Sequence, residues 1–258
     1  MTKYVLIFLA ACISANSFAQ FTFNERDESW KKIYRSTEPR INDLVHTMLD
    51  VSFDYTKSYL NGKAWITLKP HFYNTDTLRL DAKGMNIHKV AIVQAGKNKD
   101  LKYTYDSMTL LVKLDRMYKG GEAYTIYIDY TAKPNELKTQ GSAAITDAKG
   151  LYFINPLGTE PNKPTQVWTQ GETEASSVWF PTIDKPNQKT TSEISMTVPA
   201  KYVTLSNGKL TVQKKNTDGT RTDTWKMDLP HAPYLFFMGV GDYAIVKDTY
   251  KGKEVSYY

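Results

Sequence analysis

Residues 168–186 read W-T-Q-G-E-T-E-A-S-S-V-W-F-P-T-I-D-K-P. The stretch holds two of the chain's five tryptophans, a Gln-x-Glu pair and a turn flanked by Pro181 and Pro186. Gln170, Glu172 and Glu174 fall at steps of two. Side chains of an extended chain alternate between faces, so all three are expected to point the same way, together with Trp168. A row of acceptors beside an indole suits a polar edge strand wetted by solvent. It equally suits one wall of a binding site for something cationic.

The same period of two runs outward on both sides. Downstream, Ile194, Met196 and Val198 alternate with Glu193, Ser195 and Thr197 until Pro199. A Ser206-Asn207-Gly208 turn follows residues 203–205, and residues 210–213 and 221–227 read as a hairpin across Asp218-Gly219. Residues 234–240 are apolar apart from Gly239, which suits a buried strand, and residues 243–246 read as its successor. Upstream, residues 151–154 form a short apolar run between polar loops at 134–149 and 158–164. Tyr124, Ile126 and Ile128 make a strand after a Gly120-Gly121 turn. Residues 101–105 and 110–114 pair across Asp106-Ser107, and residues 87–93 end in a polar turn at 97–100. Leu49, Val51 and Phe53 alternate with polar neighbours, and Asn61-Gly62 reads as the turn to Ala64, Ile66 and Leu68. Arg40 to Asp43 reads as a short helical turn within a leader, residues 27–49, strapped over the domain. Roughly a dozen short strands with no long helix predict an all-β fold, a saddle-shaped or sandwich-like antiparallel β domain.

Composition agrees. The chain has 258 residues, 41% hydrophobic and 13% aromatic, with 18 tyrosines. That is enough for one large β domain. The net charge of +6 is scattered rather than blocked, so nucleic acid is not an expected partner. Residues 1–19 have the pattern of an export signal: Lys3, a short apolar core, and Ser17-x-Ala19 before the cut. The mature domain is then residues 20–258, exported to a periplasmic or extracellular setting. The only cysteine, Cys12, lies inside the signal; lipid attachment there is the lesser alternative. No other run approaches the ~18 apolar residues of a transmembrane span.

Chemistry is sparse. The four histidines, His46, His71, His88 and His231, show no zinc-binding spacing, and no H-E-x-x-H occurs. There is no G-x-S-x-G and no mature thiol. No catalytic and no metal-ligating residue is expected in this chain. Gln170 and Glu172 remain as candidate binding residues. Asp184, before Lys185-Pro186, reads as a turn-former that bonds nearby backbone.

The order of motifs carries more than any one of them. T-Q-G-E at 169–172 precedes W-F-P-T-I-D-K-P at 179–186, S-E-I-S-M-T-V-P at 192–199, L-S-N-G at 205–208 and F-F-M-G-V-G-D-Y at 236–243. In this order and spacing the chain resembles the N-terminal domain of the aminopeptidase N family of zinc metallopeptidases, over nearly all of the mature sequence. The resemblance implies a saddle-shaped β domain packed on a thermolysin-like catalytic domain. It assigns Gln170 and Glu172 to binding the free α-amino group of a peptide substrate. A carboxylate facing an ammonium forms a charge-assisted hydrogen bond, and a substrate with no free amine would leave it unpaired. Thr182 stands where many relatives have Cys, and Lys185 where many have Glu. The G-x-M-E-N segment, the H-E-x-x-H helix and hence the zinc are expected beyond Tyr258, in a catalytic domain outside this chain. Residues 253–258 read as a strand still under way. The expected function is substrate anchoring in an exported zinc aminopeptidase that removes N-terminal residues from peptides. Alternatives left open are a secreted, non-catalytic β module binding carbohydrate or protein, and a relative retained only as a scaffold.

Overall fold

A computed structural model describes residues 32, 36–138 and 148–258. The expected export signal, including Cys12, lies outside the described residues, as does most of the 134–149 loop. The chain divides into two compact units, Met1–Pro39 and Arg40–Tyr258. The second holds every strand among the described residues.

In chain order the strands are β1 (Asn42–Asp54), β2 (Tyr59–Pro70), β3 (Thr75–Asp81), β4 (Asn86–Gln94), β5 (Lys97–Asp100) and β6 (Lys102–Tyr105). Next come β7 (Thr109–Tyr118), β8 (Tyr124–Ala132), β9 (Leu151–Ile154), β10 (Gln166–Thr169), β11 (Thr190–Pro199) and β12 (Val203–Ser206). The last are β13 (Lys209–Lys215), β14 (Thr220–His231), β15 (Met238–Gly241), β16 (Val246–Tyr250) and β17 (Lys253–Tyr257). An eight-stranded sheet runs β13-β14-β11-β1-β2-β8-β4-β5. A four-stranded sheet runs β12-β15-β10-β9, and a three-stranded one β3-β7-β6. Pairing is antiparallel except between β1 and β11, which are parallel. The architecture is all-β and sandwich-like.

Alternation explains the packing. Leu60, Ala64, Ile66 and Leu68 of β2 all face inward, as do Ile194, Met196 and Val198 of β11. One hydrophobic cluster joins this face to Leu78, Leu80, Leu110 and Val112 of the three-stranded sheet. It continues to Leu151, Val167, Met238 and Val240 of the four-stranded one. Trp179 and Phe180 are fully buried within it. The two edge strands of the large sheet, β5 and β13, are exposed throughout and carry Lys97, Lys99, Lys209, Lys214 and Lys215. Charge at an edge opposes pairing with another chain. The β16–β17 hairpin pairs only with itself and is mostly exposed.

Four local expectations are corrected. The helical turn at Arg40–Asp43 is not formed, because β1 begins at Asn42. The side chain of Gln188 bridges it by accepting from the Leu44 N–H and donating to the Asn42 carbonyl, each at 2.9 Å. Asn61-Gly62 lies inside β2, and the turn is at residues 55–58. Gly62 is there for close approach: a Cβ would sit 2.3 Å from Cζ of Tyr130. Residues 97–100 are a strand, reversed from β4 by Ala95-Gly96, both at positive φ. Finally, residues 234–240 do not form one strand. Pro233–Leu235 is a 3-10 turn, Leu235 is 49% exposed, and β15 begins only at Met238.

Candidate functional site

Strand β10 brings Trp168 and Gln170 to the rim of the four-stranded sheet. Trp168 lies opposite Tyr152 of β9 and Gly239 of β15. Its ring stacks on Tyr152, with centroids 4.5 Å and planes 16° apart. The regular strand ends at Thr169, although the Gln170 N–H still donates to the Gly150 carbonyl at 2.9 Å.

Beyond that point the chain leaves the sheet, so the expected row of three acceptors on one extended face is not formed. Residues 172–175 make a turn closed by the Ala175 N–H on the Gly171 carbonyl at 2.9 Å, and Ser176–Val178 continues as a 3-10 helix. The Glu172–Thr173 peptide is cis. Gly171 sets where the chain departs: a Cβ there would lie 2.4 Å from the Tyr234 carbonyl oxygen and 2.5 Å from Ser176 Oγ. Ser176 Oγ donates to the Pro233 carbonyl at 2.8 Å, tying the turn to the 3-10 segment before β15.

Gln170 and Glu172 are brought together. The Glu172 N–H donates to Gln170 Oε1 at 2.7 Å. That contact identifies the oxygen end of the amide, and an amide oxygen has a second lone pair to offer. Glu172 itself is exposed, and among the described residues its carboxylate meets no donor. Glu174 differs: its carboxylate pairs with Lys185 Nζ at 2.9 Å. A carboxylate at position 185 would turn this contact into repulsion.

The far side of the turn is anchored by buried polar groups. Asp184 Oδ2 accepts the Ser177 N–H at 2.8 Å, which bears out its reading as a turn-former. Asp184 is 2% exposed, and burial pushes its carboxyl up to about 6, against the opposing hydrogen bonds of Ser177 and the nearby charge of Lys83. Its own N–H donates to Asp81 Oδ2 at 2.9 Å. Local pattern gave no sign of Asp81 or Lys83, which reach this turn from the end of β3.

The four histidines are dispersed, each with a separate partner: Thr191 for His46, Asp43 for His71, Thr131 for His88 and the Leu229 carbonyl for His231. Burial lowers the basicity of His46 and His231. Among the described residues no three His, Cys, Asp or Glu are placed to hold a metal, so these side chains do not fit a zinc site. Nor is any described helix long and apolar enough to cross a membrane.

The fold has close counterparts among solved metallopeptidases. A two-domain M1 zinc metallopeptidase mutant bound to L-arginine superposes with a TM-score of 0.70 at 19% identity, over 87% of this chain and 48% of that one. The M1 zinc metallopeptidase from Deinococcus radiodurans gives 0.67 at 19% identity, over 84% and 46%. Residues 33–235 match the Peptidase M1 N-terminal domain, and the chain belongs to that family. Leucine aminopeptidase 2 of Vanderwaltozyma polyspora is 25% identical over 203 residues, covering 77% of this chain and 28% of the relative. Aminopeptidase Q of Homo sapiens is 26% identical over 160 residues, covering 60% and 15%. Transcription initiation factor TFIID subunit 2 of Danio rerio is 24% identical over 244 residues, covering 82% and 20%. The chain therefore spans under a third of these curated relatives and about half of the solved structures.

Proposed function

We propose that this chain is the substrate-anchoring domain of an exported zinc aminopeptidase, and that Gln170 and Glu172 receive the free α-amino group of a peptide. The observation that carries the reading is the Glu172 carboxylate. Its backbone is fixed by hydrogen bonds on both sides of the turn, one of them to the Gln170 amide oxygen, which keeps a free lone pair, while the carboxylate stands unpaired. A fixed acceptor pair of this kind suits an ammonium, which carries several donors and a full charge. It also measures chain ends, since an acylated amine offers neither the charge nor the donors. Zinc, supplying a Lewis acid and an activated water, belongs to residues outside this chain.

The test is Glu172→Ala in the full-length enzyme, assayed on a free-amine peptide and on its N-acetylated form. Truncating one member of a desolvated charge pair costs about 2–5 kcal/mol. The expected fall in kcat/KM is roughly thirty- to several-thousand-fold at ~1.4 kcal/mol per decade. The acetylated peptide should be poor in both proteins. An exposed glutamate without this role would cost under ~1 kcal/mol. A variant with nearly full activity on the free-amine peptide returns Glu172 to an ordinary polar turn.

A second reading has one observation in its favour. A relative named as a subunit of a transcription initiation factor, not as a peptidase, aligns with 82% of this chain. On that reading this chain is a scaffold, and Glu172→Ala changes nothing catalytic.

A further inference from the structure

The turn carrying Glu172 is held from a distant part of the chain. The corner after β3 meets it at several points. Asp81 and Thr182 exchange backbone hydrogen bonds at 2.7 and 3.0 Å. Asp81 Oδ2 accepts the Asp184 N–H, and Asp184 in turn accepts the Ser177 N–H. The Lys83 N–H donates to the Ser177 carbonyl at 2.8 Å. The Lys83 ammonium then reaches across and donates to the backbone carbonyl of Glu174, 91 residues away in sequence.

We infer that Lys83 is a positioning residue for Glu172: by holding the Glu174 carbonyl, it sets where the Glu172 carboxylate stands to meet a substrate ammonium. This rests on the amine-anchor reading above. Besides the Ala175–Gly171 closure, the Lys83–Ser177 backbone bond and the Ser177 hydroxyl on the Glu174 carbonyl at 3.4 Å, three side-chain contacts hold the turn. Gln170 Oε1 holds its entry through the Glu172 N–H, Asp184 holds its exit through the Ser177 N–H, and Lys83 holds the carbonyl between them. Of the three, only the Lys83 contact comes from outside residues 168–186. Lys185 is not equivalent. It pairs with the side chain of Glu174, which is 41% exposed, and such a pair leaves the backbone path unconstrained. A contact to the carbonyl orients the peptide plane itself, and with it the neighbouring residues. Lys83 also places a cation near Asp184, offsetting the charge of Asp81.

The test uses the full-length enzyme in five forms: wild type, Lys83→Met, Lys83→Arg, Glu172→Ala and the Glu172→Ala/Lys83→Met double variant. Methionine keeps the apolar stem and removes the ammonium. Lys83→Met is expected to lower kcat/KM on a free-amine peptide on the order of tenfold, since misplacing a binding group by about 1 Å costs up to 10²-fold. Lys83→Arg should restore most of the loss. In the Glu172→Ala background, Lys83→Met should have no further effect, because residues acting through one another are not additive. An equal loss in both backgrounds, or a loss that arginine does not restore, would overturn the inference by showing that Lys83 acts on folding generally. Full activity of Lys83→Met beside a crippled Glu172→Ala overturns it while leaving the amine anchor standing. Full activity of Glu172→Ala removes the anchor reading and this inference with it.

Discussion

Asp184→Asn should abolish a specific pH dependence of stability. The Asp184 carboxyl is 2% exposed, and burial, only partly offset by the Ser177 hydrogen bonds, raises it from the ordinary 3.8 to about 6. The folded state therefore holds this proton more tightly than the unfolded chain. A raised folded-state value means the contribution is fully present below about 3.8 and is lost as pH rises through about 6. At ~1.4 kcal/mol per unit, the loss amounts to about 3 kcal/mol. Asparagine has no proton to lose, and its oxygen can still accept the Ser177 N–H. The difference in stability between wild type and Asp184→Asn should thus move by about 3 kcal/mol in favour of wild type on acidification from pH 7.5 to pH 3. Comparing the two proteins cancels the titrating groups that do not interact with Asp184, which leaves Asp81 and Lys83 as its charged neighbours. In thermal melts of a domain this size, 1 kcal/mol shifts the midpoint by ~2–4 °C, so the gap between the two curves should change by roughly 6–12 °C. A gap that stays constant across that range would refute the argument: Asp184 would then be as well solvated or as well paired as an ordinary carboxylate.

Two further outcomes are expected. Gly62→Ala should destabilise the domain by ~1–3 kcal/mol, because the new methyl meets the Tyr130 ring at 2.3 Å inside a packed sheet; an unchanged melting temperature would show that the ring moves aside freely. Export should remove residues 1–19, which intact mass of the secreted protein would establish, and a lipid on Cys12 would show that assignment to be wrong.

The fold was legible wherever a strand has one wet face and one dry face. In β2 and β11 the alternation of Ala64, Ile66 and Leu68, and of Ile194, Met196 and Val198, is the alternation in burial. It failed where a residue has two possible physical uses. Glycine marks a turn when positive φ is needed, as at Gly96, but also marks a close approach, as at Gly62 beneath Tyr130. Lysine and asparagine mark a loop when solvated, yet β5 is built from them because an edge strand gains from charge. Apolar runs suggest burial, yet Leu235 is exposed because Pro233 starts a 3-10 turn that breaks the run.

The candidate site divides along the same line. T-Q-G-E and its order among the other motifs named the candidate residues; their arrangement was not readable. Steps of two at Gln170, Glu172 and Glu174 predict one extended face only if the strand continues. The chain leaves the sheet at Gly171, where a Cβ would meet the Tyr234 carbonyl, more than sixty residues downstream, and Ser176 of the turn itself. The turn that replaces the strand separates two glutamates that the pattern treats alike. Glu174 turns to Lys185 and is neutralised, while Glu172 is left with a fixed backbone and a free carboxylate. A chain that merely wanted a soluble turn has no need for three separate contacts on its backbone, two of them from buried or half-buried charged side chains. On the amine-anchor proposal, the hydrogen bonds on residues 170–178 spare binding the cost of ordering that backbone.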